Sequence, residues 1–211
     1  MVAWPAVAGA QTLPGASDLA KTDLTSSEAP APPPLHVPYF QYGVALTAEV
    51  VASAGKICAV VTEPPTCILG SGGGIAVRVG RRTAGPWYFG GAYELSKHDA
   101  SKLYRLAILQ QVRAEARHYF DTGRDVEPLA LGGVGAAGYG NEWGLDTGGP
   151  LAFLGVGLEA QISRRTVAGI ALTYRALYLA AFTDTSGSHR ESGLASMFGL
   201  DIILEQRDPL N

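Results

Sequence analysis

Residues 103–120 read LYRLAILQQVRAEARHYF, and this stretch decides the fold. Its even-numbered positions are mostly apolar, whereas Arg105, Arg113, Glu115 and Arg117 all occupy odd-numbered positions. A period of two is typical of a β-strand, because successive side chains of a strand point to opposite faces. The stretch is also much longer than the five or six residues of an average strand. We therefore predict a long strand with one apolar face and one charged face.

The same alternation recurs through most of the chain after residue 38. It predicts seven further strands, over residues 40–50, 68–80, 87–96, 128–139, 151–162, 167–182 and 193–205. The glycine-rich segment 128–139 gives no assignable facing. The connections alternate between short turns and mostly longer polar loops, which is typical of an up-and-down membrane barrel. The chain is thus predicted to be all-β, an eight-stranded antiparallel up-and-down transmembrane β-barrel with a disordered Pro-rich N-terminal segment.

The charged faces of the predicted strands decide which side points inward. They hold five arginines, six carboxylates and no lysine: Glu49, Arg78, Glu94, Arg105, Arg113, Glu115, Arg117, Glu159, Arg175, Asp201 and Glu205. Arginine suits buried pairing with carboxylates, because its planar guanidinium donates parallel hydrogen bonds. We predict that these residues form a charge network inside a plugged barrel, with the apolar faces outward. Glycines are expected to make room for the arginines: Gly74, Gly80, Gly155, Gly157 and Gly169.

A soluble periplasmic barrel of the lipocalin kind is the first alternative. Such a barrel holds its ligand inside and turns apolar side chains toward its interior. On a water-facing sheet we would expect lysine to be mixed with arginine. The near balance of arginine and carboxylate instead resembles a packed interior, where each charge needs a partner. The membrane barrel is therefore favoured over the soluble carrier.

Two predicted loops place a histidine beside hydroxyl and carboxyl groups, as a nucleophilic enzyme requires. The groups are Ser96, His98 and Asp99 in one loop and Asp184, Ser186, Ser188 and His189 in the other. Such residues are ordinary at loop tips, so we predict no enzymatic activity and keep a lipid-modifying barrel enzyme as the second alternative. Residues 133–138 read GVGAAG, a dinucleotide-binding pattern, but no helix is predicted after them to hold a pyrophosphate.

Composition excludes several other classes of protein. The chain has 211 residues, of which 17% are charged and 27 are glycine, and its formal charge is −3. So few basic residues exclude a nucleic-acid-binding surface. No uncharged stretch reaches the roughly 18 apolar residues that a membrane-spanning helix needs. The two cysteines have no histidine or third cysteine nearby, so no metal or other cofactor is predicted.

The N-terminal region differs in composition from the rest of the chain. Residues 1–10 read MVAWPAVAGA, an apolar run that ends in a small-x-small pattern, and are predicted to be a signal-peptide remnant. Residues 11–38 are rich in Ser, Ala and Pro, and such a segment buries too little apolar surface to fold. They are predicted to be a disordered linker, which leaves residues 39–207 for the barrel.

Residues 39–207 resemble the small eight-stranded outer-membrane barrels of the OmpA/OmpX type in strand count, loop asymmetry, interior Arg/Glu pattern and aromatic strand ends. The aromatic residues expected to form girdles at the two membrane interfaces are Phe40, Tyr42, Trp87, Tyr119 and Phe120 near the short turns, and Tyr104, Tyr178 and Phe182 near the loops. The resemblance implies an integral protein of the outer membrane of a double-membrane bacterium. It implies outer-membrane lipid and the barrel-insertion machinery as partners. The expected role is structural or in surface interaction, through extracellular loops whose ligand is unknown.

Cys58 and Cys67 flank the segment AVVTEPPT in the first long loop. In the oxidising cell envelope that the resemblance implies, we expect them to form a disulfide. Metal binding is the weaker alternative, because no third ligand lies nearby. The disulfide would close the longest of the predicted extracellular loops.

Overall fold

The computed structural model describes residues 37–58, 67–123, 125–185 and 187–210. The predicted signal-peptide remnant, residues 1–10, lies outside the described residues. So does the predicted linker, residues 11–38, except for Val37 and Pro38, which precede the first strand. The barrel itself is described almost throughout.

Eight long strands close into one antiparallel barrel in the described part of the chain. They are β1 (Tyr39–Ser53), β2 (Gly72–Arg82), β3 (Trp87–His98), β4 (Ala107–Tyr119), β5 (Val126–Asn141), β6 (Thr147–Gln161), β7 (Thr166–Leu179) and β10 (Gly193–Pro209). Each pairs with its neighbours along the chain, and β10 closes the barrel against β1. The predicted fold class is therefore confirmed.

The connections differ strongly between the two ends of the barrel. One end, here called the turn end, carries the short connections 83–86, 120–125 and 162–165. The other, the loop end, carries residues 54–71, 99–106, 142–146 and 180–192. The last of these contains a small hairpin of β8 (Phe182–Thr183) and β9 (His189–Arg190), and the first contains a 3-10 helix, Gly55–Ile57. The predicted alternation of turns and loops is present with one exception, since the loop-end connection 142–146 is shorter than the turn-end connection 120–125.

No helix in the described residues is long and apolar enough to cross a membrane.

The outward positions of the strands form a continuous apolar surface, here called the apolar belt. Its large exposed side chains include Val44, Leu46, Ile75, Val77, Val79, Val112, Val134, Leu154, Val156, Leu158, Ile170, Leu172, Leu200, Ile202 and Leu204. The inward positions of the same strands are buried and carry most of the charges. This arrangement inverts the pattern of a soluble barrel, and it confirms the predicted facing.

Several aromatic positions differ from the prediction. We expected Tyr104 and Phe182 in an outward aromatic girdle, but both are buried at the loop end. The cause is the extent of the strands, since β4 begins at Ala107 and β7 ends at Leu179. Tyr119, expected near the short-turn girdle, is buried in the interior.

Glycines inside the barrel create space for large side chains. A Cβ atom on Gly80 would lie 2.5 Å from the Tyr88 ring, and one on Gly155 would lie 2.9 Å from Thr173. Space for an arginine comes from Gly199, where a Cβ would lie 2.9 Å from a guanidinium nitrogen of Arg175. Gly199 was not among the five glycines expected to fill this role.

Candidate functional site

The candidate site is the barrel interior, where buried charges are arranged in three tiers. The upper tier, toward the loop end, contains Glu49, Glu94, His98, Arg113, Arg175 and Asp201. The middle tier contains Arg78, Glu115, Arg117 and Glu205. The lower tier contains Arg82, Glu159 and Arg207, with Glu127 at the rim of the turn end. Each tier joins strands from different sides of the barrel.

Arg175 is the centre of the upper tier. Its Nη1 atom donates to Glu49 and to Glu94, at 2.6 Å in each case, and its Nη2 donates to Asp201 at 3.0 Å. Arg113 donates to the second oxygen of Glu94 at 2.6 Å. The Gln111 amide donates to both Glu49 and Glu94, at 3.0 and 3.3 Å. One guanidinium from β7 thus holds together carboxylates from β1, β3 and β10.

His98 connects the upper tier to the first loop. Its Nδ1 atom lies 2.7 Å from the carbonyl oxygen of Gly70, so this nitrogen carries a proton and donates. Its Nε2 atom lies 3.0 Å from a carboxylate oxygen of Glu49 and 3.0 Å from the Ser96 hydroxyl. The segment after Cys67 is thereby anchored to the interior charges.

The middle tier contains a bidentate ion pair across the barrel. Arg117 on β4 donates to both oxygens of Glu205 on β10, at 2.8 and 2.7 Å, and to Glu115 at 2.8 Å. Arg78 donates to the other oxygen of Glu115 at 3.1 Å. The Arg117 guanidinium also lies over the Tyr88 ring, 4.4 Å from its centroid. Parallel hydrogen bonds of this kind fix the geometry as well as adding energy.

The lower tier contains two arginines that were not predicted. Arg207 pairs with Glu159, and Arg82 donates to Glu127 at 2.9 Å while lying 3.9 Å over the Tyr119 ring. Both were missed because the predicted strands ended at residues 80 and 205, whereas β2 and β10 continue further. His98 was missed for the same reason on β3. Extending the alternation by one period would have found all three.

Arg105 departs from the predicted network. Its side chain is 87% exposed and pairs with Glu142, at 3.2 Å, outside the barrel. The physical reason is that β4 begins only at Ala107, so Arg105 lies in the irregular connection before the strand and not at an inward strand position. The other ten predicted residues are all buried in the interior. With Arg82 and Arg207 added, the buried members of the three tiers are six arginines and six carboxylates, and the half-buried Glu127 at the rim lies outside this count.

An apolar cluster, here called the loop-end cap, covers the charges toward the loops. It includes Ile57, Ile68, Leu69, Tyr104, Leu109, Tyr139, Leu177, Leu179, Phe182 and Met197. The Tyr139 hydroxyl donates to the Ile68 carbonyl, and the Tyr104 hydroxyl donates to Asp146. Burial, reinforced by that hydrogen bond to Asp146, raises the pKa of Tyr104, so the phenol stays a donor. The cap excludes water from the charge network.

The expected disulfide between Cys58 and Cys67 is present. It joins the chain directly after Ile57 to the chain directly before Ile68, and both isoleucines are fully buried in the loop-end cap. The cross-link therefore fixes the spacing of two cap residues that lie at opposite ends of the first loop.

Replacing both cysteines by serine is expected to lower the free energy of unfolding by about 2–3 kcal/mol, because the disulfide removes loop-closure entropy from the unfolded chain. The measurement is urea unfolding of the folded protein in one detergent, followed by tryptophan fluorescence. Reduced wild-type protein serves as the control and should match the double variant. An oxidised protein no more stable than the variant would show that the disulfide does not hold the cap.

Of the two candidate catalytic groups, the first does not bring its three side chains together, and the second lies partly outside the described residues. Ser96 and His98 do touch, but both are buried in the charge network, and Asp99 instead accepts from the Ser101 amide at 3.0 Å. In the last loop the Asp184 carboxylate accepts from Arg190 at 2.8 and 2.9 Å. Ser186 lies outside the described residues. The described residues contain no group of three metal-ligating side chains, and the GVGAAG segment lies within strand β5.

Comparison with known proteins identifies the fold. No family model matches the sequence. No curated protein matches it either. Among solved structures, Neisserial surface protein A is 15% identical, covers 80% of this chain and 96% of its own, and has a TM-score of 0.54. Outer membrane protein OprG from Pseudomonas aeruginosa is 11% identical, with coverages of 82% and 96% and a TM-score of 0.53.

A third similar structure is outer membrane protein AlkL, solved in DMPC lipid bilayers. It is 12% identical, with coverages of 83% and 92% and a TM-score of 0.52. At such identities the likeness establishes the fold. The protein has the fold of the small eight-stranded outer-membrane β-barrels, and the predicted resemblance is confirmed at that level.

Proposed function

We propose that the protein is an integral β-barrel of the outer membrane of a double-membrane bacterium, with a structural or surface-interaction role exercised through its loops. The observation that carries the proposal is the inverted facing, in which an apolar belt surrounds a buried, charge-balanced interior. An apolar surface of this extent on a barrel is stable only against lipid. The loop-end cap and the filled interior leave the barrel plugged, so we infer no channel activity.

The lengths of the strands support the membrane assignment. A membrane-crossing strand needs about 9–11 residues. The eight barrel strands contain between 11 and 17 residues, so each is long enough to cross a bilayer. We propose that the barrel-insertion machinery of the outer membrane assembles the protein, because a closed barrel cannot cross or enter a bilayer strand by strand without exposing unpaired backbone groups.

The soluble-carrier alternative is not supported by the interior. A lipocalin-like barrel requires an apolar internal cavity, whereas the interior here is occupied by ion pairs such as Arg117 with Glu205. The enzyme alternative lacks support as well, because His98 bonds Gly70 and Glu49 beneath the loop-end cap. We propose a non-enzymatic protein whose chemistry toward partners lies in its loops.

The proposed topology is tested by labelling in intact cells. Arg105→Cys lies at the loop end and Arg164→Cys lies at the turn end, and both arginines are exposed. A membrane-impermeant maleimide should label Arg105→Cys in intact cells and should label Arg164→Cys only after the outer membrane is permeabilised. The native cysteines do not react because they are disulfide-bonded. Labelling of both variants in intact cells, or the reverse order, would overturn the topology.

A further inference from the structure

Two concave surfaces, one on the outer wall of the barrel and one at the rim of its turn end, share the side chain of Phe120. The first is an apolar groove of about 460 Å³ that crosses the outer wall over β5, β6, β7 and β10. Beyond Phe120 its lining side chains include Pro128, Val156, Leu158, Ile170, Leu172 and Leu200. It starts at the turn end and rises to the middle of the apolar belt, so in a membrane it lies at the depth of the hydrocarbon.

The second surface is a cleft of about 450 Å³ at the turn end, between the β2–β3 turn and the β4–β5 turn. Most of its lining surface is apolar, and it is here called the polar cleft for the ionisable side chains that it contains. It is lined by Arg82, His118, Asp121 and Glu127, with Pro86 and Phe120 as apolar walls. The cleft thus presents cationic and anionic groups side by side. Phe120 lines both surfaces, so the polar cleft and the apolar groove adjoin at this side chain.

The aromatic side chains around His118 place the cleft at the membrane interface. The His118 ring lies between Trp87 and Phe120, with ring centroids 4.7 and 4.8 Å away. Aromatic rings of this kind concentrate at the level of lipid headgroups. Within the described part of the chain no side chain or backbone group hydrogen-bonds the His118 ring, so its nitrogens are available to a ligand at that level.

The charges of the cleft favour one type of headgroup. Arg82 is already paired with Glu127 at 2.9 Å, and Asp121 uses one carboxylate oxygen to accept from the Gly123 amide at 2.8 Å. A second Asp121 oxygen is left for a ligand, and the cleft keeps an excess of negative charge. A headgroup that carries a primary ammonium beside its phosphate complements this distribution better than a purely anionic headgroup.

We propose that the groove and the cleft together bind one phospholipid of the inner leaflet, with an acyl chain in the groove and a phosphate-plus-ammonium headgroup in the cleft. The ammonium lies against Asp121 and Glu127, and the phosphate lies toward His118 and Arg82. The inference rests on the proposed membrane function and adds to it a specific lipid. Lipid that only surrounds the apolar belt does not require a polar cleft next to an apolar groove.

The test is native mass spectrometry of the folded protein in detergent micelles that contain equal amounts of phosphatidylethanolamine and phosphatidylglycerol. Wild-type protein should retain one phosphatidylethanolamine in preference to phosphatidylglycerol. Filling the groove with Val156→Trp should reduce retention about tenfold, the effect of losing a few buried methylene contacts. The matched control is Val77→Trp, on the opposite wall of the barrel and similarly exposed, which should retain the lipid as wild type does.

A second variant tests the cleft without altering the groove. His118→Ala with Asp121→Asn should remove the preference for phosphatidylethanolamine over phosphatidylglycerol. Free phosphoethanolamine should not compete, because without an acyl chain it lacks the groove contacts; effective competition would assign the site to a soluble phosphate compound. Equal lipid retention by Val156→Trp and Val77→Trp would overturn the proposal. Folding is checked for each variant by gel mobility, so loss of the lipid is distinguished from failure of the barrel.

Discussion

Replacing Arg175 by methionine is expected to destabilise the barrel more than any other single change in the interior. Methionine keeps the length of the side chain but removes the guanidinium that bonds Glu49, Glu94 and Asp201. Breaking a buried ion pair by removing one partner typically costs about 3–5 kcal/mol, because uncompensated charge stays buried. The free energy of unfolding in urea, measured on protein folded into lipid vesicles, should fall by that amount.

Two controls make this result specific. Arg105→Met removes an exposed arginine and should change the free energy of unfolding by less than about 0.5 kcal/mol. In the double variant Arg175→Met with Asp201→Asn, the second substitution removes the negative charge that the first leaves without Arg175. Glu94 is still paired with Arg113, and Glu49 with His98, so part of the lost stability should return. Wild-type stability in Arg175→Met would contradict the role given to Arg175 as the centre of the upper tier.

Replacing Ile202 by arginine is expected to cause the second large loss of stability. Ile202 points outward from the middle of β10 and pairs with Leu46 and Ile170 on the neighbouring strands. An arginine on the lipid face near the bilayer midplane costs about 2–4 kcal/mol. The free energy of unfolding in lipid vesicles should fall by this amount, because the guanidinium has no partner in the hydrocarbon.

The matched control lies on the same strand and the same face. Leu194 is 61% exposed and Ile202 is 58% exposed, but Leu194 lies at the loop end of β10. Leu194→Arg should therefore cost no more than about 1 kcal/mol, since the penalty falls toward the interface. Equal and small costs at both positions would mean that the outer face meets water, as in a soluble barrel.

The facing of most strands could be predicted because a charged inward face alternates with an apolar outward face. Arg113, Glu115 and Arg117 illustrate this, and all three are buried. In β5 this alternation could not be used, because glycine and alanine occupy both faces and have no preference for the inside or the outside of the barrel. Leu129, Leu131 and Tyr139 mark its inward face, and all three are buried in the structure.

The partners of the charges could not be predicted from residue patterns. Arg117 and Glu205 are 88 residues apart, and they meet only because the barrel closes with a particular stagger. The loop-end cap was missed for a related reason, since Tyr104 continues the alternation of β4 although the strand begins only at Ala107. Periodicity describes a strand and does not show where the wall of the barrel ends.

The most direct test of the membrane barrel is the gel mobility of detergent-folded protein, unboiled against boiled. A closed barrel whose interior is held by buried ion pairs should resist dodecyl sulfate at room temperature and unfold only on boiling. We predict two different mobilities, with the boiled sample alone migrating as the unfolded chain of 22.0 kDa. Identical mobilities, from protein that also stays in solution without detergent, would contradict the account.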